Sequence, residues 1–322
     1  MSRFRVVISD LIYENQDIER NVLRAVDADV IECQCITPED VIKACRNADG
    51  IIVSLAPFPA QVIQKLTRCK VISRYGIGYD NIDIHACTQK GIHVANVPDY
   101  CQEEVSDHAL ALLMSCSRRI LQRDRLIHQG GWRNTILEPI YRMAGKTFAF
   151  LGFGMIARCL HRKIQGLNFG RILVYDPYLD EKFIRSLGAE KVDYVTALQE
   201  ADYISIHMPL NDQTRGMIDE QAFGLMKKTA VVINTSRGAI IDEQALVQAL
   251  QAGKIFGAGL DVFEKEPLSM DNPLLTLNNC ILTDHMSWFS EESILDLKRK
   301  AAENVRNVLN GEKPLYPLNQ IL

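Results

Sequence analysis

The sequence predicts an α/β protein made of two doubly wound parallel-sheet domains, the second inserted into a discontinuous first one. Three observations carry this reading. Short β-branched runs alternate with amphipathic stretches along the chain; the rhythm occurs twice, once before Pro98 and again after Gly145; and a long helical pattern separates the two blocks while another follows the second. Continuous apolar strands divided by helices belong to parallel sheets covered on both faces, because each crossover lays a helix on the sheet. At 322 residues the chain has room for two domains of ordinary size.

In chain order, strands are expected at 3–9, 50–55 and 69–73 in the first block. The second block supplies 146–152, 171–176, 202–207, 230–235, 255–261 and 279–283. Each is a short apolar or β-branched run that closes on a polar or turn residue. Residues 60–67 and 243–252 read as amphipathic helices between strands. Between the blocks, 101–131 opens on Glu103 and Glu104, gathers arginines late and stops at Gly130 and Gly131. Acid at the start and base at the end both suit the helix dipole, which predicts one unbroken helix there. A last helix is expected over 291–309, ending at Asn310 and Gly311. It lies beyond the last strand of the second block, so it is expected to return to the first domain. The boundaries that follow are 1–99 plus 287–322 for one domain and 100–286 for the other.

Bulk composition excludes several classes. A hydrophobic content of 47% with 24% charged residues is that of a soluble globular protein, and a net charge of −4 without a basic cluster gives no footprint for nucleic acid. The nine cysteines include no C-x-x-C pair, so they read as reduced core thiols without a metal site. The opening residues hold too short an apolar run for a signal peptide, and no segment is long enough to span a bilayer. A cytoplasmic protein is expected.

The first chemical motif is Gly152-Phe153-Gly154-Met155-Ile156-Ala157, a G-x-G-x-x-A pattern where an apolar strand gives way to a helix. Gly152 allows the tight turn, Gly154 lets backbone approach a pyrophosphate, and Ala157 permits close helix packing, which is the dinucleotide fingerprint of a Rossmann domain. The helix N-terminus offers unpaired N–H groups to the anion. Asp176, at the end of the next strand, can accept both ribose hydroxyls of NAD and would repel the extra phosphate of NADP. Its plainer reading is a turn begun with Pro177.

Three more strand ends carry polar groups: Arg237, then Asp261 with Glu264 and Glu266, then His285. Each alone could be a surface pair, a turn or a strand cap. Ligands of open parallel sheets gather at the carboxyl ends of strands, so together these groups are expected at one mouth. Hydride transfer to a 2-keto acid builds charge on the carbonyl oxygen, and a histidine oriented by a carboxylate suits its protonation. An arginine fork can bind the carboxylate and polarise the carbonyl at once.

The order of the glycine pattern, the strand-end acid, "NTSRGAIIDEQAL", "GAGLDVFEKEP" and "TDH" resembles the D-isomer-specific 2-hydroxyacid dehydrogenases over nearly the whole chain, "SRYGIGYDNID" included. The resemblance implies that Arg237 binds substrate, Glu266 tunes the histidine and His285 is the acid/base. It implies further cofactor contacts at Pro177, His207, Met208, Pro209, Thr214, Thr235, Ser236, Asp261 and Ser287. It also implies that the loop of Tyr75, Gly76, Ile77 and Gly78 offers backbone amides to the substrate carboxylate. A homodimer formed through the cofactor domain is part of the same expectation.

The chain departs from the family pattern in two places. Members usually read T-P-H where this chain has Thr283, Asp284 and His285, and the lost proline frees an N–H and some backbone. Asp284 either raises the histidine pKa from within or points to solvent. Trp288, in "WFS", resembles the C-terminal binding proteins, and it either faces an apolar substrate tail or packs on the long helix. Phosphoglycerate dehydrogenases commonly carry a basic residue in the loop that is Ser54, Leu55 and Ala56 here, and the chain's end at Leu322 leaves no room for an appended regulatory domain. The expected activity is an NAD-dependent D-2-hydroxyacid dehydrogenase, a 2-keto acid reductase in the reverse direction. The alternatives are an NAD(H)-sensing binding protein and a 3-phosphoglycerate dehydrogenase.

Overall fold

The computed structural model describes residues 3–132 and 139–321. The chain divides into two compact units, Met1–Cys101 with Ser290–Leu322, and Gln102–Phe289. In the first unit β1 (Phe4–Ile8), α1 (Asp17–Leu23), β2 (Ala28–Glu32), α2 (Pro38–Cys45), β3 (Gly50–Val53), α3 (Ala60–Lys65), β4 (Val71–Arg74), α4 (Ile84–Gln89) and β5 (His93–Ala95) alternate. The strands form one parallel sheet in the order β2-β1-β3-β4-β5, the flavodoxin-like order.

The second unit runs α5 (Gln102–Arg118), α6 (Ile120–His128), β6 (Thr147–Leu151), α7 (Met155–Ile164), β7 (Arg171–Tyr175), α8 (Glu181–Ser186), β8 (Glu190–Lys191), α9 (Tyr194–Glu200), β9 (Tyr203–Ile206), α10 (Glu220–Leu225), β10 (Val231–Asn234), α11 (Glu243–Gln251), β11 (Gly257–Leu260) and β12 (Cys280–Leu282). Its parallel sheet has the order β12-β11-β10-β9-β6-β7-β8. The order reverses between β6 and β9, and such a switch point opens a crevice beyond the strand ends. The chain closes with α12 (Glu291–Leu309), in the first unit. The fold class is therefore the one expected: two parallel-sheet α/β domains.

Strand periodicity explains why both faces of the second sheet are covered. Along β6, Phe148 and Phe150 enter the core beneath α5 and α7, while Ala149 and Leu151 enter the core on the other face. Along β10, Val231 and Ile233 join the first core and Val232 the second. Burial on both sides makes these strands read as unbroken apolar runs.

In the first unit α12 packs on β3 and β4. It starts at Ser290, whose hydroxyl accepts the Ser293 N–H in a capping box. Asn304, fully buried on this helix, donates to the Asn96 carbonyl at 3.0 Å and accepts the Leu315 N–H at 2.8 Å. Among the described residues no helix is long and apolar enough to cross a membrane.

Three strands and one break were not foreseen. β2 is a half-buried edge with the mixed sequence Ala-Asp-Val-Ile-Glu, and β5 and β8 have three and two residues, too few for a periodicity. The single helix expected over 101–131 is two helices. Arg119 between them is left-handed, φ 55 and ψ 38, so the α-helix cannot continue through it. Arg119 is buried, and its guanidinium stacks 3.9 Å over the Phe256 ring. A tertiary contact of this kind leaves no mark in local periodicity.

The first unit also narrows the expectation for residues 75–78. Tyr75 donates its amide to the Val53 carbonyl and Gly76 donates to Arg74, at 2.8 and 3.0 Å. The Tyr75 ring is buried, with its hydroxyl 2.5 Å from Glu19, and burial followed by the nearby Glu19 charge raises its pKa well above the ordinary phenol value. Of the four amides expected, those of Tyr75 and Gly76 are therefore taken. In Ser54, Leu55 and Ala56 all three amides donate to the buried Asp10 carboxylate.

Phe150→Ala is expected to destabilise the second unit by about 3–5 kcal/mol, the usual cost of emptying a buried aromatic site. Denaturant unfolding followed by circular dichroism measures this, and a loss near zero would contradict the packing described.

Candidate active site

The glycine turn is shaped by backbone contact. Gly152 has φ +85, and a Cβ there would lie 2.9 Å from the His207 carbonyl carbon, so the turn packs directly on the chain leaving β9. Gly154 caps α7, and a Cβ on it would meet nothing within 4 Å. Phe153 is fully buried, Met155 is exposed and Ile156 lies between. The first-turn amides of α7 face this open side, since helix starts leave N–H groups without internal carbonyl partners.

Asp176 follows β7 and reaches back to the turn, accepting the Phe153 N–H at 2.9 Å. Its other oxygen accepts the N–H groups of Tyr178 and Leu179, at 3.0 and 3.2 Å. A carboxylate offers about four acceptor positions, so one remains where two ribose hydroxyls were expected to bind. Pro177 beside it is exposed, and no basic residue follows before Lys182.

Beyond β9, His207 is half-buried and shares a hydrogen bond with Ser205 Oγ at 2.8 Å, and desolvation drives its pKa down to about 3. Met208 is buried next to it, and Thr214 closes the following loop by donating to the Pro209 carbonyl at 2.6 Å. At the end of β10, Thr235 is buried and its hydroxyl has no hydrogen-bond partner among the described residues. Ser236 donates to Asn234 Oδ1. A glycine loop open at Gly154 and first-turn amides beside the sheet's switch point, with a buried hydroxyl lacking a partner among the described residues at the end of β10, fit a dinucleotide.

Arg237 follows directly, its carbonyl held by the Asn234 side-chain amide at 2.9 Å and its Nη1 donating to the Ser236 carbonyl at 2.7 Å. Gly238 allows this turn to touch the next one: a Cβ there would sit 1.9 Å from the Phe263 carbonyl carbon. Phe263 in turn donates its N–H to Glu266 Oε1 at 2.9 Å, and Glu266 Oε2 lies 2.6 Å from His285 Nδ1. Burial opposes the charge on Glu266, but the hydrogen bonds from His285 and Phe263 and the charges of His285 and Arg237 outweigh it. The carboxyl is held below its usual range. The structure thus brings Arg237, Glu266 and His285 to one place, while the Glu264 amide donates to the Glu243 carboxylate at 3.2 Å.

His285 itself has φ 58, left-handed backbone that a histidine rarely adopts. Asp261, fully buried, holds the residues around it. One oxygen accepts the Thr283 hydroxyl at 2.7 Å and the Met286 N–H at 3.2 Å, and the other accepts the Ser287 N–H at 3.0 Å. The Asp261 carboxylate therefore faces the histidine loop, where a cofactor contact was expected, and Ser287 is bound to it through its amide. Trp288 closes the loop by donating its indole N–H to the His285 carbonyl at 2.9 Å. Its ring meets Phe289 edge-on, centroids 5.9 Å apart. Asp284 is exposed.

Sequence reasoning gave no role to Thr283 or to His108 on α5, whose Nε2 lies 2.9 Å from Thr283 Oγ1. The signal available was a histidine in the second turn of a helix, which is no more than a polar residue on a helix.

A Rossmann sheet with an arginine, a glutamate and a histidine at successive strand ends defines a nicotinamide-dependent dehydrogenase. Residues 110–287 match the model of the D-isomer specific 2-hydroxyacid dehydrogenase NAD binding domain, and the chain belongs to that family. It is 37% identical over 284 residues to the glyoxylate reductase of Korarchaeum cryptofilum, covering 87% of this chain and 85% of that one. It is 38% identical over 279 residues to the D-3-phosphoglycerate dehydrogenase of Methanocaldococcus jannaschii, covering 86% of this chain and 53% of that relative, about half its length. Among solved structures, a glyoxylate reductase from Paecilomyes thermophila superposes with a TM-score of 0.89 at 27% identity, covering 98% of each chain. The protein is an NAD-dependent oxidoreductase of 2-hydroxy acids.

The lowered carboxyl of Glu266 carries a pH consequence. A group whose folded pKa is depressed contributes stability above its unfolded value, about 4.3 for glutamate, and loses it as pH falls through the folded value. Glu266→Gln should therefore flatten the stability profile on the acid side, from about pH 5 downward. Denaturant titrations of both proteins at stepped pH read this, and parallel profiles would show that the carboxylate is not held by His285.

Proposed function

We propose that the protein reduces a small 2-keto acid to the D-2-hydroxy acid, with His285 as proton donor, Glu266 as its orienting carboxylate and Arg237 as the substrate clamp. The observation that carries this is the 2.6 Å contact between Glu266 and Nδ1 of His285 beside the Arg237 charge. With Nδ1 engaged by Glu266, the transferable proton belongs to Nε2. Arg237 binds the substrate carboxylate and polarises the carbonyl, stabilising the charge that grows on its oxygen. In the reverse direction neutral His285 takes the hydroxyl proton.

The amides at the start of α7 and the open side of Gly154 hold the pyrophosphate of NAD, Asp176 a ribose hydroxyl, and Thr235 a further polar atom of the cofactor. NAD supplies the hydride acceptor, and NADH the hydride. Trp288 lines the substrate side of the His285 loop. A pure nucleotide sensor would have no use for a histidine held in left-handed backbone against a carboxylate.

The names of the relatives give glyoxylate and 3-phosphoglycerate as competing substrates. Ser54, Leu55 and Ala56 have no basic side chain, and their amides already serve Asp10, which favours an unphosphorylated substrate. The protein is also proposed to be a cytoplasmic homodimer. Nine cysteines outside any disulfide suit a reducing compartment. On the NAD-binding unit Ile120 and Ile127 are 51% exposed and Trp132 65%, an apolar surface suited to a second copy.

A panel of glyoxylate, a short apolar 2-keto acid and D-3-phosphoglycerate, each with its matching nicotinamide form, tests the substrate class. Turnover of the first two and little of the third is expected, and a strong preference for phosphoglycerate would overturn the reading. His285→Ala should lower kcat by about 10²–10⁴-fold, the usual worth of an acid–base group, with NADH affinity nearly unchanged. Equal losses in kcat and in NADH binding would make the histidine structural.

A further inference from the structure

The catalytic reading gives His108 of the second unit no task. His108 stands on α5, away in sequence from the strand-end residues, yet its Nε2 lies 2.9 Å from Thr283 Oγ1 and 3.5 Å from Asp261 Oδ1. Thr283 in turn donates its hydroxyl proton to Asp261 at 2.7 Å. A hydroxyl has one proton, so with that proton on Asp261 the threonine oxygen can only accept from His108. His108 must therefore carry its proton on Nε2.

We infer that His108 is a positioning residue for the reaction: it fixes Thr283, and through Thr283 and Asp261 it fixes the left-handed backbone that aims His285. The inference rests on His285 being the acid/base. Three features join the two histidines. Thr283 stands two positions before His285 and takes part in both contacts. Asp261 is fully buried, so each donor aimed at it offsets the cost of a charge without water. The same carboxylate holds Met286 and Ser287 immediately after His285. The histidine is thus bracketed on both sides by one network, and His108 is its anchor on a rigid helix. His108 side-chain exposure is 27%, so it stands at the rim of the network with Asp261 at its centre.

Removing that anchor loosens the bracket without touching the nicotinamide fingerprint or Arg237. His108→Ala is expected to lower kcat by about tenfold, with the NADH dissociation constant kept within about threefold. His108→Gln, which keeps an N–H donor near the same place, should restore kcat to within about threefold of the parent. Thr283→Val removes the shared oxygen and should behave like His108→Ala.

A second readout needs no catalysis. The chain has two tryptophans, so in a Trp132→Phe background the emission of Trp288 reports the loop it closes. Acrylamide quenching of that emission should rise by about twofold in His108→Ala and return in His108→Gln. Unchanged quenching with kcat within about twofold of the parent would overturn the inference, as would a glutamine variant no better than alanine. If His108→Ala fails to fold, Thr283→Val gives the same two readings. His285→Ala separates the two failures. A fully active His285→Ala refutes the catalytic reading itself, whereas an inactive one beside an unaffected His108→Ala refutes only the positioning role.

Discussion

A carboxylate sealed from water must be met on all sides, and Asp261 imposes that constraint on the carboxyl end of the second sheet. Its oxygens draw in a hydroxyl and two backbone amides, all from the segment that follows β12. Each of these bonds offsets part of the cost of burying the carboxylate, and together they hold the loop. The position of His285 is set by that requirement, and the geometry with Glu266 follows from it.

The same economy governs the other turns at this end of the sheet. Asp176 ties the glycine turn to β7 through Phe153, and Asn234 ties the Arg237 turn to β10. Backbone approaches backbone at Gly152 and at Gly238, where a single added carbon would collide. The Arg237 turn is clamped by Asn234 of the strand before it, and the His285 turn by Asp261, which follows β11. Such support keeps a constellation within the tolerance that catalysis requires.

The sequence made the architecture legible because strands buried on both faces must be continuously apolar, and the runs containing Phe148, Phe150, Val231 and Ile233 are. It made the glycine loop and the strand-end residues legible because their spacing is dictated by one strand and one turn. What escaped was set by contacts distant along the chain. Arg119 breaks a helix because Phe256 is beneath it, and no residue near Arg119 announces this. Asp261 looked like one more acid at a strand end, but its partners lie beyond β12. Tyr75 belonged to a loop expected to offer four amides, and its own is taken by Val53, which only the folded sheet brings close.

Position 284 carries a final consequence. Where relatives of this family place proline, the ring restricts the chain before folding begins and lowers the entropy of the unfolded state. Here Asp284 is exposed, and the conformation of the loop is imposed afterwards by Asp261 and by the indole of Trp288. A covalent ring cannot be released, whereas hydrogen bonds can open and close in turn. The histidine of this protein is thus aimed by a latch, and the order in its loop is acquired with the fold.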